Sequence, residues 1–259
     1  MSSSINYPSD DSSYAAWQDY LDNTIRPHID ALMKAHHVFE AIQYVTTTLL
    51  TFLGNFTEDH QMAGQAKIEN VLSQLQDLRN RVQNDFNTMQ SATGSTAEAA
   101  AKDAYAAYFG GTLSDGTTTA GIKSILETNE TVDPKNPKMF DQTFVNSVEQ
   151  EFAANSSGTQ GPIFGTNTPS NDPHGDNLVS YWQKMWGSNN PDDPNSTQPV
   201  TNALTSVASD FSSQNSTAES RIKFYEANDE QYKSMTHSMM TEIINEEKQS
   251  TTATQSAGS

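Results

Sequence analysis

From Val200 to Gln249 the chain contains neither proline nor glycine, and its apolar residues recur as a helical stripe. They fall at Leu204, Val207, Phe211, Ala218, Ile222, Tyr225, Tyr232, Met235, Met239 and Ile243. Steps of three, four or seven put such side chains on one side of a helix. The spacing predicts one long helix, or two nearly collinear ones. A narrow stripe on a long helix gives little stability in water, because helices draw most of theirs from packing an apolar face. Some other surface has to cover it.

The candidates lie near the other end of the chain. A helix is predicted from Asn23 or Thr24, either of which can cap it, with Pro27 in the first turn where a missing N–H costs nothing. Its stripe is Ile25, Ile29, Leu32, His36, Phe39, Ile42, Leu49, Leu53 and Phe56, and Gly54-Asn55 supplies a stop, since both residues tolerate positive φ. A second helix is predicted from Glu58 to Met89 on a heptad-like seam of Ile68, Val71, Leu75, Leu78, Val82 and Met89, with Asp85 breaking the alternation beside Phe86. Two long helices joined by a few residues read as an antiparallel hairpin. The expected core is therefore three helices, closed by the one from the far end of the chain. Within the closing helix, polar residues at Gln214, Asn215 and Asp229 weaken the stripe, so the half from Ile222 to Ile243 is expected to carry most of the packing.

Between these helices the texture changes. Ser95 and Glu98 form a capping-box pattern opening an alanine-rich helix, Thr96 to Tyr108, which Gly110-Gly111 ends. Short helices are predicted over Ala120 to Glu127, Pro137 to Ala154 and Asn177 to Trp186. Residues 155–200 hold much of the proline and glycine, and segments of that composition are usually exposed loops. Thr112 to Thr119 and Gly161 to Thr168 are the places where a short strand fits. Trp182 and Trp186, on a short helix between two polar loops, need burial, either on the chain's own helices or against a partner.

The whole reads as mainly all-α: an elongated helical bundle or coiled coil with a loop-rich insert of small helices. Its parts are a flexible N-terminal segment (1–23), a long helical hairpin (24–92), the insert (93–199), the C-terminal helix packing on the hairpin (200–249) and a disordered tail (250–259). Low apolar content, 34% with a mean hydropathy of −0.66, suits slender helical seams better than one thick core.

Composition also excludes function classes. Against 14 basic residues stand 32 acidic ones, a net charge of −18, which argues against nucleic acid or an anionic membrane as the main partner. There is no cysteine, hence no disulfide, thiolate nucleophile or cysteine-based zinc site. Residues 1–24 lack the basic and apolar regions of a secretory signal peptide, and the most apolar run, Val45 to Leu53, is too short and threonine-rich to span a bilayer. His36, His37 and Glu40 lie close on one helix, but the chain has no Glu-x-x-His of the kind di-iron bundles use. The turns Asn171 to Asp176 and Asn189 to Asp193 carry oxygen ligands without calcium-loop spacing. Phosphate-loop, dinucleotide and nucleophile-elbow motifs are absent from the sequence. The expectation is a protein that is not an enzyme and uses no cofactor or metal.

What remains is helix-to-helix association. The interaction seam is assigned to Phe39, Ile42, Leu49, Leu75, Leu78, Val82, Ile222, Tyr225, Tyr232, Met235, Met239 and Ile243, with Trp182 and Trp186 as further partner contacts. The apolar segment His37-Val-Phe-Glu-Ala-Ile-Gln-Tyr44 looks like the helix near the N-terminus of filament subunits, and Met1 to Tyr14 looks like their export signal. In composition and in pairing helices from its two ends, the chain resembles the hydrophilic needle-tip and filament proteins of bacterial type III secretion systems. The resemblance covers the two ends and implies a secreted component or substrate of such a system, self-association or capping through the terminal helices, and an export chaperone. Two other classes fit the same helices: an intracellular or virion scaffold, which would be cytoplasmic, and a secreted helical effector or toxin in which Thr46 to Phe56 meets a membrane, although no basic face supports membrane binding.

Overall fold

In the computed structural model the residues described are 16, 19–35, 37–130, 140–153, 161–169, 172, 175–186 and 197–257, and within them the side chains of Val38, 58–60, 232, 235, 236, 239, 240 and 242–257 are not described. The chain is mainly α-helical, as its periodicity predicts. Helix α1 covers 19–34, with a wide π turn at Leu21–Ile25, and α2 covers 38–62, with π turns at Val45–Leu49 and Phe56–Met62. Then come α3 (Ala63–Ser91), α4 (Ser95–Phe109), the two-residue strands β1 (Gly111–Thr112) and β2 (Thr118–Thr119), α5 (Gly121–Asn129), α6 (Gln142–Phe152), α7 (Leu178–Lys184) and α8 (Gln198–Ala257). The chain divides into two compact units, one of residues 1–66 with 219–259 and one of residues 67–218.

The first unit holds a helical hairpin, but its bend is not at Gly54-Asn55. The backbone stays helical through both residues and reverses instead after Ala35, which leaves the helical region at ψ 1, with His37 N–H donating to Leu32 O at 3.0 Å. Across this hairpin Tyr20 stacks on Phe52 (5.8 Å between centroids) and His28 meets Tyr44 (4.3 Å), so each step along α1 is matched by a step back along α2. A small core of Ile25 and Phe52 lies between the helices, flanked by Leu21, Ile29, Leu49, Leu53 and Phe56. The physical reason is tertiary: reversing at Gly54 would forfeit these apolar contacts, and packing overrides a local stop signal. Threonine hydroxyls help α2 to widen. Thr46, Thr47, Thr51 and Thr57 each donate to the carbonyl four residues back, at 2.6 to 2.8 Å, competing with the helix's own ladder in and beside the π turns. The C-terminal part of α8 belongs to the same unit, where the Asp229 carboxylate, paired with Lys233 at 2.5 Å, lies beside Gly54.

The second unit contains the larger core. On α3 the buried line is Ile68, Leu72, Leu75, Val82, Phe86 and Met89, which keeps heptad spacing through the break at Asp85. On α8 it is Val200, Ala203, Leu204, Val207, Phe211 and Ala218. Arg79 Nε–H donates to the Leu204 carbonyl at 2.8 Å, tying the two helices together. The alanine face of α4 is buried in this core, as small side chains permit close helix approach, and α5, α6 and α7 add Ile122, Leu126, Phe144, Val148, Phe152, Leu178 and Trp182. The insert is thus a packed body rather than a loop-rich appendage.

Several expectations are corrected. The buried apolar residues of α8 run from Val200 to Ala218, while Ile222 and Tyr225 are half-buried, so among the described side chains the N-terminal part of the helix carries the packing. There it meets α3, the second of the two expected N-terminal helices, through Arg79 and Leu204, and α6 through Phe144 and Phe211. The helix continues to Ala257, into the expected tail, because no proline or glycine interrupts it before Gly258. Ser95 is the first residue of α4 and not its cap: Gly94, at φ 62, precedes the helix and makes no side-chain cap. Helix α6 begins at Gln142 with Asp141 as its cap, accepting from Phe144 N–H at 2.9 Å.

Within 155–200 the described part is not an exposed loop. Phe164 is fully buried, and its ring meets those of Tyr105, Tyr108, Phe109, Phe152 and Trp182 at 5.4 to 6.1 Å. Backbone bonds from Ile163 and Phe164 to Glu151 O and Phe152 O hold the turn onto α6. Gly161 and Gly165 close it by a bridge, and Gly165, at φ 59, leaves space for the Tyr181 ring, which a Cβ would approach to 2.7 Å. The short strand expected over Thr112 to Thr119 is the β1–β2 hairpin, with Gly111 opposite Thr119 and Thr112 opposite Thr118.

Candidate interaction surface

The seam residues separate into three environments. Leu75 and Val82 are fully buried and Leu78 half-buried in the core of the second unit, where they hold the fold. In the first unit Leu49 borders the small hairpin core, and Ile222 and Tyr225 are half-buried on α8. Tyr232, Met235, Met239 and Ile243 lie on the α8 backbone, with side chains outside the described residues. Phe39 and Ile42 differ from all of these: they are 52% and 41% exposed.

Their position follows from the bend. Phe39 and Ile42 sit three residues apart on the first turns of α2, hence on one face. Met33, 50% exposed, lies in the last turn of α1, and the pairing of Tyr20 with Phe52 and His28 with Tyr44 places it level with Phe39. Of the exposed large apolar side chains among the described residues, Met33, Phe39 and Ile42 flank the bend, and Phe224, on α8, is the other. Met33 and Phe224 were not singled out by periodicity, because exposure at a bend or on the far face of a helix leaves no mark on a stripe.

Electrostatics single out the same end. Between Asp30 and Glu58 the charged residues are Lys34 and Glu40, so this stretch of a chain carrying −18 is neutral. His37, in the bend, pairs with Glu40 at 2.9 Å across one helical turn. Exposed apolar side chains ringed by few charges can desolvate at low cost.

The two tryptophans belong to the second unit. Trp182 is fully buried, donates Nε1–H to Ile163 O at 2.5 Å and meets Phe86 edge-on at 4.9 Å. Its ring is occupied inside the fold, which removes it as a partner contact. Trp186 is half-buried and packs edge-on against Phe86 at 5.9 Å. Of the Asn171 to Asp176 stretch, Asp172 has a structural part: it is buried and accepts from Asn177 N–H at 3.1 Å beside the start of α7.

Among the described residues no group of three or more His, Asp or Glu side chains is placed to hold a metal ion, and no helix is long and apolar enough to cross a membrane. His36 lies outside the described residues. Comparison with protein-family models, with characterised proteins and with solved structures finds no match to this chain.

Proposed function

We propose that the chain is a non-enzymatic structural protein that assembles through helix–helix contacts, and that the α1–α2 bend joins it to a second copy of itself. The observation carrying this reading is the exposure of Met33, Phe39 and Ile42 around a bend with no net charge. Elsewhere two copies, each at −18, repel. At the bend they do not, and a two-fold contact brings the Lys34 and Glu40 of one copy to the Glu40 and Lys34 of the other, a self-complementary pattern.

The setting we propose is extracellular: a needle-tip or filament-like component, or substrate, of a type III-like export system, held before export by a chaperone. The cysteine-free, acidic, Asn/Ser/Thr-rich composition and the terminal helices flanking a separate middle unit support it. Export is tested by fusing residues 1–24 to a reporter in a secretion-competent strain; retention of the fusion in the cytoplasm moves the protein to the intracellular or virion scaffold class. Assembly is tested separately, by the mass of the purified chain as a function of concentration.

A further inference from the structure

In the second unit, α3 carries a half-buried carboxylate whose surroundings do not suit a charge. Asp85 Oδ2 is shielded from water and accepts no hydrogen bond among the described residues. The charges acting on it are Asp103 of α4 and Arg81, one turn back on its own helix. Asp103 is buried and committed: Oδ1 accepts the Ser114 N–H at 2.7 Å, and Oδ2 accepts the Ser114 hydroxyl. Arg81 is committed too, for both terminal nitrogens reach Asp115 Oδ2 at 3.2 Å in the turn between β1 and β2. The cluster therefore sets three carboxylates against one guanidinium, and that guanidinium is bonded to Asp115.

An ionised carboxylate with one oxygen shut off from water and without a donor, beside a second carboxylate, is costly, and a proton on Asp85 removes the conflict. The next residue, Phe86, makes the edge-on contacts with Trp182 and Trp186. A shift of α3 that brings Asp85 Oδ2 to water also moves Phe86, its neighbour on the helix, and so disturbs those contacts. We propose that Asp85 and Asp103 form a proton-operated latch: neutral Asp85 seats α3 against α4, and its ionisation loosens the packing of Phe86 on the two tryptophans.

Burial, aided by the Asp103 charge and opposed by Arg81, pushes Asp85 up to about 7. The sign follows from linkage. An acid whose folded value lies above its unfolded one, about 3.9, binds more protons when folded. Its destabilising contribution is absent at low pH, grows from about pH 4 to about pH 7, and is constant above. The latch lies within the second unit and does not depend on the proposed self-association.

The test uses the full chain carrying Trp17→Phe, so that emission comes from Trp182 and Trp186. Tryptophan emission of the folded protein is followed from pH 5 to 9, in this background and with Asp85→Asn or Asp103→Asn added. The expected result is an emission change centred near pH 7 that Asp85→Asn abolishes and Asp103→Asn moves to lower pH, because removing the neighbouring charge eases ionisation. Emission that does not change with pH, or a change that survives Asp85→Asn, overturns the latch. A midpoint unmoved by Asp103→Asn overturns the pairing with Asp103.

Discussion

His28 and Tyr44 face each other across the first hairpin with ring centroids 4.3 Å apart, although sixteen positions of chain separate them. On one uninterrupted helix they would stand roughly 24 Å apart at 1.5 Å per residue. Their contact requires the bend after Ala35, and from that bend follow the exposure of Met33, Phe39 and Ile42 and the account of assembly.

The bend can be measured directly, because a chain without cysteine takes site-specific labels cleanly. Thr24→Cys and Thr47→Cys, both at exposed positions, put spin labels on the two arms. Packed helices lie about 10 Å apart, whereas a continuous helix would separate these positions by about 35 Å. Pulsed dipolar spectroscopy is expected to give the short distance; a dominant long one would remove the bend.

Phe164 joins α4, α6 and α7 through one ring, so Phe164→Ala opens a cavity that several elements line. Large-to-small changes of buried aromatic residues cost about 3–5 kcal/mol. Urea titration followed by circular dichroism is expected to show a loss in that range, well above that of Phe224→Ala, whose side chain is 61% exposed.

Gly165 is required twice over, by its φ of 59 and by the Tyr181 ring on its open side. Gly165→Ala is expected to destabilise by more than about 1 kcal/mol, the usual scale of such backbone strain. Gly116→Ala is the control, since Gly116 also has a positive φ but nothing near its missing Cβ. A smaller loss at 116 than at 165 isolates the steric part.

Some of this was legible in the sequence, and the reasons are local. The stripes of α3 and α8 are readable because heptad spacing survives a single polar intruder such as Asp85, with Phe86 next to it taking the buried place. The bend was hidden because Ala35, His36 and His37 carry no turn chemistry, whereas Gly54-Asn55 does. Contacts distant in sequence, Tyr20 with Phe52 and His28 with Tyr44, decide between the two sites. The core role of Ile163 and Phe164 was hidden too. Glycine and proline on both sides make that segment look like an exposed loop, and nothing local tells that its backbone bonds onto α6. Of the expected interaction residues, Phe39 and Ile42 reach the surface, while Leu75, Val82 and Trp182 are buried in the core. Periodicity marks a face as apolar without saying what covers it.

The central claim is association through the bend, and sedimentation equilibrium over a wide concentration range tests it most directly. The native chain is expected to rise from monomer towards dimer with concentration, and Phe39→Asp with Ile42→Asp to stay monomeric with unchanged helix content. A native chain that remains monomeric at the highest concentration, or a double variant that associates equally well, would contradict it.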